Sequence, residues 1–82
     1  MSTKNVDSFS PAQCRAARAL LGMTQTELSK LAGLGLSTVV DFEKSRREIS
    51  MQAADDLRRA LEKAGIQFIS RNGGGPGLRL KK

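Results

Sequence analysis

The sequence predicts a mostly α domain: a bundle of four to five short helices followed by a C-terminal β-hairpin or strand pair. Three observations carry this. Hydroxyl residues Ser10, Thr24 and Ser50 stand at the head of apolar-periodic runs; Gly22, Gly33 and Gly65 follow the ends of such runs; and after Gly65 the period shifts from helical spacing toward alternation. With 82 residues the chain forms one small domain, and at this size folding hides only about 60% of the surface the unfolded chain exposes.

Residues 1–9 are polar and unpatterned, which predicts a flexible arm. Ser10-Pro11-Ala12-Gln13 combines a capping hydroxyl, Pro at the first helical position and Gln three residues after the cap. Helix 1 is predicted from Pro11 to about Leu21, with Cys14, Ala17, Leu20 and Leu21 inward, Arg15 and Arg18 outward, and Gly22 as left-handed cap. Thr24-Gln25-Thr26-Glu27 is a second capping box. It opens helix 2, about Gln25 to Ala32, with Leu28, Leu31 and Ala32 as its stripe. Gly33-Leu34-Gly35 supplies a tight connection in which Leu34 plugs the core. Helix 3 follows from about Leu36 to Lys44 with Val39 and Phe42 inward, and helix 4 from Met51 to about Ala64. Ala54, Leu57, Leu61 and Ala64 form the stripe of helix 4, and Asp55 pairs with Arg59 on its outer surface.

The tail reads as two short strands, Ile66–Ser70 and Leu78–Lys81, around the turn Arg71–Gly77. A lone hairpin is marginal in water, so the strands either pack on helix 4 or pair with those of a second subunit, and the latter is favoured. The domain organisation is thus an arm at 1–9, a helical domain at 10–65 and a β extension at 66–82 for dimerisation.

Composition narrows function. Fourteen Lys and Arg against eight Asp and Glu give a net charge of +6 and a pI near 10.3, which favours polyanions. There is no His and one Cys, so the chain supplies neither a His-based triad nor a Cys/His zinc site, and no disulfide within one chain. No enzyme, cofactor or metal site is expected. Cys14, among alanines, reads as a small buried hydrophobe. Gly73 to Gly77 lacks the Lys-Ser/Thr of a phosphate loop and reads as a turn. With no apolar leader and no membrane-length segment, the expected location is cytoplasmic.

Two short capped helices joined by a Gly-containing turn form a helix-turn-helix, whose second helix enters the major groove in DNA-binding versions. The run "RALLGMTQTELSKLAGLGLSTVVDFEKSRREIS", with its "R-x-L-L-G-M-T-Q-x-E-L" opening, "L-A-G" turn and "E-K-S-R-R" exit, resembles the Cro/C1-type helix-turn-helix domain of phage repressors and xenobiotic-response-element regulators. The resemblance covers residues 13–64. It implies a lambda-repressor-like helical bundle that binds double-stranded DNA, usually as a homodimer, and regulates transcription.

Position by position, the resemblance implies that Gln25, with Thr26 beside it, binds a backbone phosphate and braces the recognition helix. It places Ser37 and Thr38 at bases or phosphates, and Lys44, Arg46 and Arg47 on the flanking backbone. Three positions depart from the pattern: Leu36 stands where Arg, Gln or Asn is common, Val40 where Ser is, and Asp41 where Arg, Lys or a small polar residue is. Leu36 and Val40 suit thymine methyl groups and Asp41 a cytosine amino group, although Asp41 is also repelled by phosphates. Other readings stay open: a protein-binding antiactivator face built on Leu36 and Val40, or the antitoxin of a toxin-antitoxin pair with the tail on the toxin. No small-molecule ligand or membrane partner is indicated.

Overall fold

The computed structural model describes residues 9–69 and 77–81. The element order is α1 (Pro11–Leu21), α2 (Gln25–Ala32), α3 (Leu36–Glu43), α4 (Met51–Lys63), β1 (Ile66–Ile69) and β2 (Gly77–Leu80). Each predicted start is made by the residues foreseen for it. Ser10 accepts from the Gln13 amide while the Gln13 side chain accepts from the Ser10 amide, and Thr24 and Glu27 repeat the exchange. Ser50 accepts from the Ala53 amide. Each box satisfies two of the amides a helix start leaves without partners. Gly22 and Gly33 close α1 and α2 at φ 67° and 74°, a conformation that costs other residues roughly 1–2 kcal/mol.

The helices enclose Cys14, Ala17, Leu28, Val39, Phe42, Leu57, Ala60, Leu61 and the first strand residue Ile66. Full burial of each Leu or Ile contributes roughly 1.5–3 kcal/mol. Leu34, in the α2–α3 turn, packs on this core as its sequence position implied. So does Phe9, the last residue of the expected arm, whose ring stacks on Phe42 at 5.6 Å and meets Phe68 edge-on at 5.3 Å. The rest of that arm, and the glycine run before Gly77, lie outside the described residues.

Three inward assignments are corrected. Leu20 is half exposed and Leu31 more so, and Ala64 lies on the surface beyond the end of α4. Helical geometry explains the first two, because residues turn by about 100° each. Leu20 thus lies roughly 120° from Cys14, while Arg18, four residues on, shares its face. In α2 the buried pair is Leu28 and Ser29, which rotates Leu31 to the rim.

The strands pair antiparallel with each other in the same chain, Ile66 opposite Leu80 and Phe68 opposite Leu78. The β-sheet lies against α1 through β2 and against α4 through β1. Its inner face carries Ile66, Phe68 and Leu78. On the other face Arg79 donates from Nε to the Gln67 side-chain oxygen at 2.9 Å.

Candidate nucleic-acid interface

The helix-turn-helix consists of α2, the turn Gly33–Gly35 and α3. Gly33 takes the positive φ, and Gly35 is extended (φ −71°, ψ 150°) and opens α3 without a side-chain cap. On α3 the inward residues are Val39, Phe42 and Glu43. The opposite stripe holds Leu36 and Ser37, both exposed, then Val40 and Asp41, half-buried, and ends in exposed Lys44. Thr38 is half-buried at its flank, and Arg46 and Arg47 are exposed just beyond the helix. The segment foreseen as a reading helix is therefore at the surface and bordered by cations.

Behind it sits a network that sequence reasoning missed. Glu43 is only 2% exposed, and Arg18 donates to both its carboxylate oxygens, from Nε at 2.7 Å and Nη2 at 2.6 Å. Gln25 donates from Nε2 at 3.0 Å and the Cys14 thiol at 3.0 Å. Arg15, in turn, donates to the backbone carbonyl of Glu43. Burial by itself pushes the Glu43 carboxyl up, but the hydrogen bonds from Arg18, Cys14 and Gln25 outweigh it and hold the group below its ordinary range. The Cys14 thiol is pushed well above its ordinary value by burial first and then by Glu43, so it stays protonated and donates. Arg18 was expected on the outer face and is instead half-buried against Glu43. The available signal was Glu43 itself: it follows Val39 by four residues, on the inward stripe, and a carboxylate there needs a cation.

The exit from α3 is a second constellation. Lys44 caps the helix, and Ser45 has a positive φ of 57°. The Ser45 amide donates to the Phe42 carbonyl and the Arg46 amide to the Asp41 carbonyl, the paired bonds of a Schellman turn. This turn folds the basic residues back onto α3. Arg47 donates from Nε to Asp41 Oδ2 at 3.0 Å and from Nη2 to Thr38 Oγ1 at 3.3 Å. Arg46 Nη1 lies 3.9 Å from Asp41 Oδ1.

Of the residues singled out from the sequence, Leu36, Ser37, Thr38, Val40, Asp41, Lys44, Arg46 and Arg47 thus form one surface on and just after α3. Gln25 lies behind that helix, braced to it through Glu43. Thr26 is exposed in the first turn of α2, and its carbonyl accepts from Ser29 Oγ at 2.8 Å. Among the described residues no group of His, Cys, Asp and Glu is arranged to hold a metal, and no helix is long and apolar enough to cross a membrane.

No curated protein sequence matches the chain significantly. A family profile described as helix-turn-helix matches residues 15–67, more than half of the chain. The match spans α2, the turn, α3 and both halves of the Arg18–Glu43 bond, and the protein accordingly belongs to the Cro/C1-type helix-turn-helix family of DNA-binding regulators.

Proposed function

We propose that the protein is a sequence-specific transcriptional repressor that binds an inverted-repeat operator as a homodimer. The α3 helices of the two copies enter successive major grooves about 34 Å apart. The observation that carries this reading is the outward stripe Leu36, Ser37, Val40 and Lys44 on a helix anchored from behind through Glu43. Ser37 and Thr38 meet base edges, Leu36 and Val40 meet thymine methyl groups, and Lys44 and Arg46 hold phosphates. Gln25 and Thr26, at the start of α2, lie by the adjacent backbone. Dimerisation through the hairpin is supported by exposed Ile69 and Leu80 and by a sheet in which, among the described residues, each strand has one neighbouring strand.

Selection of bound fragments from random DNA tests this, and enriched palindromic sites are expected. Absence of any enriched site would overturn it. Arg46→Ala should lower affinity evenly across sequences and reduce the salt slope by about one counterion, whereas Ser37→Ala should change site preference. Ile69→Lys and Leu80→Lys, which change exposed hairpin residues and leave Ile66, Phe68 and Leu78 in place, should yield monomers in sedimentation.

A second reading has one observation in its favour. Leu36 is 44% exposed on the same stripe, an apolar contact suited to a protein partner, as an antiactivator requires. Retention of full DNA affinity in Leu36→Ser, with loss of binding to a transcription factor, would support it.

A further inference from the structure

We infer that Asp41 is a positioning residue that sets Arg47 to read a guanine, so that Arg47 contributes specificity rather than a phosphate grip; this rests on the DNA-binding reading above. Asp41 is the pivot of the α3 exit. Its backbone carbonyl accepts the Arg46 amide, and its carboxylate accepts Arg47 Nε. The Schellman turn around Ser45 thus aims the Arg47 side chain back along α3 as far as Thr38 in the first turn. That turn of a recognition helix is where base edges are met.

The bonding of the guanidinium specifies what it can still do. Nε–H and one Nη2–H are engaged by Asp41 and Thr38. Three of the five N–H groups remain, and two of them, one each on Nη1 and Nη2, form the end-on fork of the planar group. A fork held in place loses less rotamer freedom when it binds, and two parallel N–H groups match guanine O6 and N7.

Charge separates a base from a phosphate as the acceptor. The Asp41 carboxylate is hydrogen-bonded to Arg47 at 3.0 Å, whereas Arg46 stands off at 3.9 Å without a hydrogen bond, so it is at Arg47 that the carboxylate offsets the attraction for an anion. Guanine O6 and N7 are neutral acceptors and are far less affected. A side chain needed only for phosphate would be weakened by this carboxylate, whereas one needed for a base gains its register from it.

The test is selection from random DNA with the full chain, carried out on wild type, Arg47→Ala, Arg47→Lys, Asp41→Ala, Asp41→Asn and the double variant Asp41→Ala/Arg47→Ala, with folding checked by circular dichroism. Wild type should enrich a guanine at one fixed position of each half-site. Both Arg47 variants should relax that position alone, by about 5- to 150-fold, the range for one bidentate base contact. Asp41→Ala should relax the same position and weaken binding to the preferred site several-fold, although it removes a negative charge. Asp41→Asn should do so less, because its amide oxygen still accepts. In the Arg47→Ala background, Asp41→Ala should change the preference no further.

Tighter binding of Asp41→Ala to all sequences, with preference unchanged, overturns the inference and leaves the DNA-binding reading intact. A uniform loss in Arg47→Ala, with the salt slope reduced by about one, does the same. Failure of wild type to enrich any site overturns the parent reading instead.

Discussion

Two carboxylates stand two residues apart on α3 and both meet arginine, yet their surroundings differ. Asp41 and Glu43 are separated by about 200° around the helix. Glu43 faces the core at 2% exposure and receives donors from α1 and α2, whereas the Asp41 side chain is 26% exposed and receives them from the chain just past its own helix. The same pair of charges therefore does two jobs. Around Glu43 every hydrogen bond replaces lost solvent and fixes the reading helix on its scaffold. Around Asp41 water competes, and the pair arranges side chains on the surface with little effect on stability.

The sharpest way to break this comparison is to remove each carboxylate. Glu43→Ala takes the acceptor from half-buried Arg18, from Gln25 and from the buried Cys14 thiol, and should cost roughly 2–4 kcal/mol, a large part of the roughly 4–12 kcal/mol available to a chain of this length. Urea denaturation measures it, and a loss below about 1 kcal/mol would make Glu43 equivalent to a surface group.

Acid provides the next contrast. The folded Glu43 carboxyl binds its proton less readily than the unfolded one, whose ordinary value is 4.5. Its contribution is therefore complete well above pH 4.5 and drains away as the pH falls from there through the lower folded value. Thermal melts between pH 7 and pH 3 should show that loss, and Glu43→Gln should be less acid-sensitive than wild type over the same range.

Ser45 gives a smaller effect of opposite sign. A non-glycine residue at φ 57° is strained, and glycine relieves more than its greater unfolded-state entropy takes back. Ser45→Gly should raise stability by about 0.5–1 kcal/mol in urea titrations, and a decrease would show that the serine side chain contributes to the turn. Smallest is Asp41→Ala, expected to change stability by less than about 1 kcal/mol, with the difference shrinking in high salt. A larger, salt-independent loss would place Asp41 with Glu43 and erase the distinction.

The elements and most of their ends were legible in the residues. Ser10, Thr24 and Ser50 announced the helix starts, and Gly22 and Gly33 two of the stops. The outer stripe of α3 was legible too, because inward Val39 and Phe42 leave Leu36, Ser37, Val40 and Lys44 on the other side. What misled was hydrophobicity used without helical phase: Leu20 looked inward and Arg18 outward, and the structure reverses both. Asp41 read as a base contact or a repulsive charge. Its engagement by Arg47 depends on a Schellman turn with serine at the position glycine usually marks.

The sequence by itself determined where each helix begins, where the chain turns and which period the tail follows, since those bonds join residues three or four apart and need nothing from the rest of the molecule. Neighbours one helical turn apart, such as Asp55 and Arg59, could be paired from spacing, but which distant charges meet was settled by the packing of the helices. Arg18 and Glu43 are 25 residues apart, and although the phase of α3 marks Glu43 as inward, which cation reaches it is set only when α1 packs against α3 and excludes the water.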